Sequence, residues 1–285
     1  MVGESAVARA VKYLLILIVT LILLFPIYWM INMSFKDQNE FVAEPPTLLV
    51  QHPTWANYND LIVEQHFLRY GKNSLKVAAF AATLSVVIGT LAAYALARFR
   101  LPGNFNYHLL FTVLTIRMFP PIVTVIPLFV WYNHYSLPFV HHKLIDTWYG
   151  LGFVHAFSEL PLVVWLMIGF FRDIPRDMEE AALVDGDSRL AVLFKVAIPL
   201  ARPGLAATFI LVFISSWNEF LYALILTRSE AQTLPIAVAG QITEFSIKYG
   251  NLMAAAVLTT VPVLVLALLA QRHLTRGLTV GGVTG

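Results

Sequence analysis

The chain has 285 residues, of which 58% are hydrophobic and only 13% charged, and its mean hydropathy is +0.72. Soluble domains carry roughly a quarter charged residues, so this composition excludes a water-soluble enzyme and implies an integral membrane protein. A net charge of +2 is too small to point to nucleic acid, and the absence of cysteine excludes disulfides and thiolate metal sites.

Apolar runs long enough to cross a bilayer as helices, roughly 18 residues or more, fall near 11–33, 73–97, 107–131, 148–171, 204–226 and 251–271. Lipid offers the backbone no hydrogen-bond partner, so such runs predict helices, and the fold class is an all-α bundle of six transmembrane helices. The first run is too long for a signal-peptide core and lacks a small-x-small cleavage site, so it reads as an anchor. With the N-terminus inside, Arg9, Lys12, Arg98, Arg100, Arg172, Arg176, Arg189, Lys195, Arg202, Arg272 and Arg276 all fall on the inner side. That bias places both termini in the cytoplasm of a multi-pass protein. No linker, low-complexity tract or internal repeat interrupts the pattern, and 1–285 reads as one membrane domain.

The first outer loop, about 34–72, contains EPPTLLVQHPTWANYNDLI. Its prolines argue against a continuous helix, and its aromatics suit either a small packed cap or interfacial anchoring through Trp55 and Tyr58. In the outer segment 132–147, His141 and His142 are adjacent and face different ways, with no further ligand at metal spacing. Prolines 120, 121, 127, 161 and 262 interrupt the spans, as broken helices do where they line a cavity or pack on protein.

Residues 174–202 form an inner loop far longer than the two to eight residues a helix connection needs. Pro175 suits a first helical turn, and Asp177, Glu179 and Glu180 place negative charge at its positive end. Gly186 supplies a left-handed residue to end the helix, and Asp187 or Ser188 caps a second one. Leu190, Leu193, Phe194 and Ala197 recur at helical spacing until Pro199 stops it. Met178, Ala181 and Ala182 share a stripe whose small side chains admit close approach of another surface. The loop therefore reads as a helix-turn-helix docking element.

Several chemistries are absent from the sequence. No Lys precedes Ser or Thr, which removes the GxxxxGK[ST] phosphate loop; no His precedes Glu, which removes HExxH; and no GxSxG occurs. Gly186-Asp187-Ser188 resembles the GxS of intramembrane serine proteases, but Ser188 stands between charges in a loop and suits a helix cap better.

The run Glu180-Ala181-Ala182, Gly186 and Val196-Ala197-Ile198-Pro199 resembles the EAA signature, EAA-x3-G-x9-I-x-L-P, of permease subunits of binding-protein-dependent ABC importers; Val196 and Ile198 depart conservatively from it. AAYALARFRLPG (92–103), SSWNEFLYAL (215–224) and the tail QRHLTRGLTVGGVTG (271–285) resemble the carbohydrate branch, in particular its maltose-type second permease. The resemblance implies a type I importer bundle whose 174–202 loop carries a coupling helix. It implies that Glu180 meets a basic residue of a cytoplasmic ATPase, that Ala181 and Ala182 form the close contact, and that Asp185, Gly186 and Pro199 shape the loop. Gly277 and the glycine-rich end would give a second contact. Further implications are a second homologous permease, a dimeric ATPase that holds ATP and Mg, an extracytoplasmic solute-binding protein, and no cofactor, metal or catalytic residue in this chain. Sugars and polyols are equally compatible solutes.

An ionised residue at mid-bilayer costs about 2.5–3.5 kcal/mol on insertion scales, so those retained there point to function. Arg117, Glu159 and Glu219 are the candidates. Trp217, Asn218 and Tyr222 accompany Glu219 in a set suited to a sugar's hydroxyl face, with Asn218 and Tyr222 four apart on one helical face. The other reading of these residues is packing: Arg117 and Glu159 pair with each other or with a partner permease, and Trp217 packs. The alternative function is a secondary transporter in which Glu159 or Glu219 carries a coupling proton, although such folds show matched internal repeats.

Overall fold

The computed structural model describes residues 6–41, 45, 47–99, 102–134, 143–243 and 247–280. These residues form helices, turns and a single isolated bridge between Ile242 and Ile247, with no strand among them. The chain divides into two compact units, Met1–Leu68 with Ala237–Val261, and Arg69–Ile236 with Pro262–Gly285. His141, His142 and residues 281–285 lie outside the described residues.

The first unit begins with α1 (Ala6–Ser34), whose apolar window has no buried residue. After it the chain turns through Gln38–Phe41 and Ala56–Asn59, the latter running into a wide turn at Asp60–Glu64. Polar side chains hold this loop. Asn57 Nδ2 donates to the carbonyls of Ser34 and Lys36, each at 2.9 Å, and the Glu40 carboxylate accepts the N–H groups of His52 at 2.6 Å and Gln51 at 3.2 Å. Tyr58 is buried with its hydroxyl 2.8 Å from Ser34 Oγ, and Trp55, although 70% exposed, meets Phe35 edge-on at 4.9 Å. Tyr58 is thus packed within the loop, while most of the Trp55 side chain stays exposed.

The second unit contains α2 (Phe67–Arg98), α3 (Phe105–Met118), α4 (Pro121–His134) and α5 (Trp148–Asp173), of which α2 begins at the division. The 174–202 loop follows with α6 (Arg176–Val184) and α7 (Arg189–Leu200), and the chain continues through α8 (Arg202–Trp217) and α9 (Leu221–Leu226). Two further helices, α10 (Leu234–Ala239) and α11 (Tyr249–Val280), complete the described chain, with the division between units falling at Pro262 inside α11. Glycines let the rods of the second unit approach closely, as membrane helices require. A Cβ at Gly89 of α2 would stand 2.6 Å from Val163 Cγ1 of α5, and one at Gly204 of α8 would run into the Phe170 ring. Val77, Val125, Tyr132, Leu151, Val154, Tyr222 and Leu226 form one buried cluster joining α2, α4, α5 and α9.

Four helices are individually long and apolar enough to cross a membrane, and two bent pairs raise the number to six. The third and fifth apolar runs are not the single rods the sequence predicts. The 107–131 run breaks between Met118 and Pro121, and α3 and α4 meet at 87°. Pro120 disfavours a helical Phe119 and lacks an N–H, whereas Pro121 suits the first turn of α4. The 204–226 run breaks at 218–220, leaving α8 with 16 residues, about 24 Å of rise and short of a bilayer's hydrocarbon. In the inner loop Pro199 does not stop its helix, which runs on to Leu200 before bending by 76° into α8. A wide turn over Leu193–Ala197, closed by the Ile198 N–H on the Leu193 carbonyl, opens the ladder ahead of the proline ring.

Asp146 ties the loop before α5 to the segment after α9. Its carboxylate accepts the N–H groups of Arg228, Ser229, Glu230 and Ala231 at 2.9 to 3.2 Å, while its own N–H donates to the Leu226 carbonyl at 2.9 Å. Burial pushes the Asp146 carboxyl up, but the four N–H groups together outweigh it and hold the group below the ordinary value of 3.8. A carboxyl lowered in the folded chain stabilises it above the unfolded value, and that stability is lost as pH falls through the folded value. Thermal unfolding of the purified protein should therefore show a fall in midpoint below about pH 4 that is reduced in Asp146→Asn.

Candidate functional site

Two regions of the second unit bring the predicted residues into relation. The first is the break in the fifth run. The backbone of Trp217 ends α8, Asn218 folds back with its N–H on the Ile214 carbonyl at 3.1 Å, and α9 opens with free N–H groups. Glu219 satisfies them: Oε1 accepts from Tyr222 N at 2.9 Å and Oε2 from Ala223 N at 3.2 Å. The same carboxylate lies 3.1 Å from His155 Nε2 of α5, and His155 Nδ1 shares a hydrogen bond of 2.7 Å with Ser216 Oγ. His155, only 1% exposed, is thus bonded through both ring nitrogens across α5 and the break. A histidine inside an apolar run gave no signal of this in the sequence.

Beside the break lies a cavity of about 700 Å³, within the range of small-molecule sites. Arg117, Glu159, Glu219 and Tyr222 line it, together with Thr124 and Trp131. Arg117 Nη1 donates to Glu159 Oε2 at 3.2 Å, and Ser215 Oγ donates to Glu159 Oε1 at 2.6 Å. The Thr124 and Tyr222 hydroxyls share a hydrogen bond of 2.7 Å between α4 and α9. Trp217 and Asn218 do not line the cavity. Trp217 is buried and stacks on Phe213 at 5.8 Å, and Asn218 is exposed. Because the helix breaks between them, Asn218 and Tyr222 do not share a helical face.

The second region is the 174–202 loop. Pro175 precedes α6, Asp185 closes it, and Gly186 follows at φ +96°, a backbone conformation that glycine takes without steric cost. Ser188 Oγ caps α7 by accepting the Ala191 N–H at 3.2 Å. Glu180 and Ala181 are exposed and Ala182 half-exposed, while Glu179 turns inward and is buried. Arg98, the last residue of α2, donates Nε to Glu179 Oε1 at 2.8 Å and Nη2 to the Ile174 carbonyl at 3.0 Å; Tyr94 OH donates to Glu179 Oε2 at 3.0 Å. Both members of the ion pair are under a tenth exposed. The sequence shows two adjacent glutamates and a terminal arginine with nothing to pair one of them specifically. Gly277 lies in the part of α11 whose side chains are not described.

Residues 85–280 match the family described as binding-protein-dependent transport system inner membrane component. The chain belongs to this family. The transport component is 34% identical to the trehalose/maltose transport system permease protein MalG of Thermococcus litoralis over 288 residues, covering 99% of each chain. It is 36% identical to the trehalose transport system permease protein SugB of Mycobacterium tuberculosis over 265 residues, covering 92% of this chain and 93% of that one. Its fold matches a subunit of a bacterial ABC transporter involved in the import of the acidic polysaccharide alginate, with a TM-score of 0.78 at 24% identity over 95% of this chain and 99% of the other. As a multi-pass inner membrane component of a transport system it is not itself an enzyme, and the ion-gradient alternative is set aside.

Removing one partner of a buried ion pair strands a charge and costs about 3–5 kcal/mol. Glu179→Ala and Arg98→Ala are expected to lower the unfolding free energy by about 3 kcal/mol, and exposed Glu180→Ala by less than about 0.5 kcal/mol. Denaturant titration in mixed micelles reads the contrast, and equal effects of Glu179→Ala and Glu180→Ala would refute the two-sided assignment of α6.

Proposed function

We propose that this chain is one of two homologous permease subunits of an ATP-driven carbohydrate importer, taking up a sugar or polyol, with both termini in the cytoplasm. The whole of 1–285 works as one permease domain, and 174–202 is its docking loop. The reading of the solute class rests on full-length relatives named for trehalose and maltose transport. A structural relative is described as an alginate ABC transporter in complex with a pentasaccharide-bound periplasmic protein. That description supports delivery of solute by an extracytoplasmic binding protein here as well.

The observation that carries the coupling role is the two-sidedness of α6. One side is fastened to α2 through Glu179, while Glu180 and Ala181 are exposed. Glu180 then meets a basic residue of a dimeric cytoplasmic ATPase, Ala181 and Ala182 let its groove approach, and Asp185, Gly186 and Pro199 set the two turns that hold the loop. ATP and Mg belong to that partner. Closure of the ATPase dimer displaces α6 and, through it, the spans that bound the cavity. Arg117, Glu159, Glu219 and Tyr222 form this chain's part of the solute path; Trp217 and Asn218 support the break beside it.

The chain has no cysteine, so Ala181→Cys gives a single reactive thiol. In membranes holding the assembled complex, this thiol is expected to form a disulfide with single cysteines placed in the ATPase groove, and the yield is expected to change when ATP is added. Failure to cross-link at every groove position in assembled complex would refute the docking assignment. Trehalose-stimulated ATP hydrolysis, measured with the cognate binding protein, checks the solute class separately.

A further inference from the structure

A second cavity of about 690 Å³, which the transport reading leaves unused, lies between the α2–α3 turn and the α5–α6 junction. Arg98, Arg172 and Arg176 line it. Arg98 is committed to Glu179, whereas Arg172 and Arg176 are exposed and form no hydrogen bond or ion pair with the described residues. Neither Asp173 nor Asp177 lines the cavity. The Arg189 guanidinium, 5.3 Å above the Phe99 ring, adds positive charge at the rim. The other wall is apolar and aromatic, built from Leu96, Phe99, Tyr107 and Leu110. Tyr107 is 68% exposed and stacks on Phe111 at 6.5 Å, so this wall continues onto the outer surface of α3.

The position is as informative as the chemistry. Arg172 and Arg176 stand where the 26-residue apolar rod of α5 ends, at the level of phospholipid head groups for a spanning helix. Guanidinium groups bond phosphate oxygens through their planar fork of donors, and an adjoining apolar wall suits an acyl chain. Basic pockets between spans on the inner side are where anionic head groups are recognised. We propose that this cavity binds an anionic phospholipid, with Arg172 and Arg176 on the phosphate and the Leu96–Leu110 wall along the upper acyl chain. Because the cavity also includes Ile174 and Pro175, which lead into α6, the bound head group braces the entry to that helix.

The test uses the full chain, extracted with its partners and exchanged into nanodiscs of phosphatidylcholine with or without phosphatidylglycerol, and counts retained lipid by native mass spectrometry. Phosphatidylglycerol is expected to be retained over phosphatidylcholine, and the double variant Arg172→Gln/Arg176→Gln to lose that preference by about tenfold. Arg228→Gln, in the segment after α9 that bonds the loop before α5, is expected to leave it unchanged. Equal retention of both lipids, or unchanged retention in the double variant, overturns the proposal. Displacement of the lipid by millimolar inorganic phosphate assigns the site to a free anion and overturns it equally. Should the double variant fail to fold, a phosphatidylglycerol bearing a photoreactive acyl chain is expected to label the peptide spanning Phe99–Leu110 of the native chain. Labelling confined to other spans refutes the assignment.

Discussion

A backbone N–H or C=O exposed to hydrocarbon has no solvent to satisfy it, so every interruption of a spanning helix must be closed by a group the protein itself supplies. The break in the fifth run obeys that constraint. At 218–220 the Glu219 carboxylate takes two N–H groups of α9, and His155 orients it from α5. Ahead of α5, Thr147 Oγ1 accepts the Gly150 N–H at 3.1 Å and its hydroxyl donates to the Leu144 carbonyl at 2.7 Å. Tyr132 OH, from α4, donates to the Gly150 carbonyl at 3.0 Å. The break in the fifth run is thereby bonded from within the protein, and it stands beside the cavity.

The same constraint explains why charged residues survive beside that cavity. Arg117 and Glu159 neutralise one another, with Ser215 holding the second carboxylate oxygen, and Glu219 is occupied by the break. Each charge is retained because it has a local task, and the lining left between them is largely aromatic and apolar. An arrangement of this kind offers a solute hydroxyl groups and ring faces without an uncompensated ion, which accords with a sugar or polyol as the proposed cargo.

In the 174–202 loop the two faces of α6 are treated differently. A helix of nine residues has little stability of its own, and its position is set by Arg98, which bonds both the Glu179 side chain and the backbone just before the helix begins. In the proposed coupling role, motion imposed on the exposed Glu180–Ala181 face is passed to the end of α2 through that ion pair. Gly186 and the Ser188 cap redirect the chain into α7, so the proposed docking surface is held from both ends.

Composition and apolar run length determined that this is an all-α membrane protein, since lipid permits no other way of satisfying an apolar span. The local chemistry of 174–202 was equally legible: proline before the helix, acid in its first turn, a left-handed glycine after it and a serine cap on the next helix are short-range effects that neighbouring residues settle among themselves. What the sequence left open are the long-range pairings. Glu179 and Glu180 are chemically identical neighbours, and only the approach of Arg98, 81 residues earlier, makes one an anchor and leaves the other exposed. His155 reads as a polar blemish in an apolar run until Glu219 and Ser216 reach its two ring nitrogens. The expectation that Asn218 and Tyr222 share a face failed because it assumed a continuous helix, and continuity is decided by whether a distant side chain can replace the missing backbone bonds. A carboxylate and a histidine 64 residues apart in sequence did so here, and only tertiary structure could bring them together.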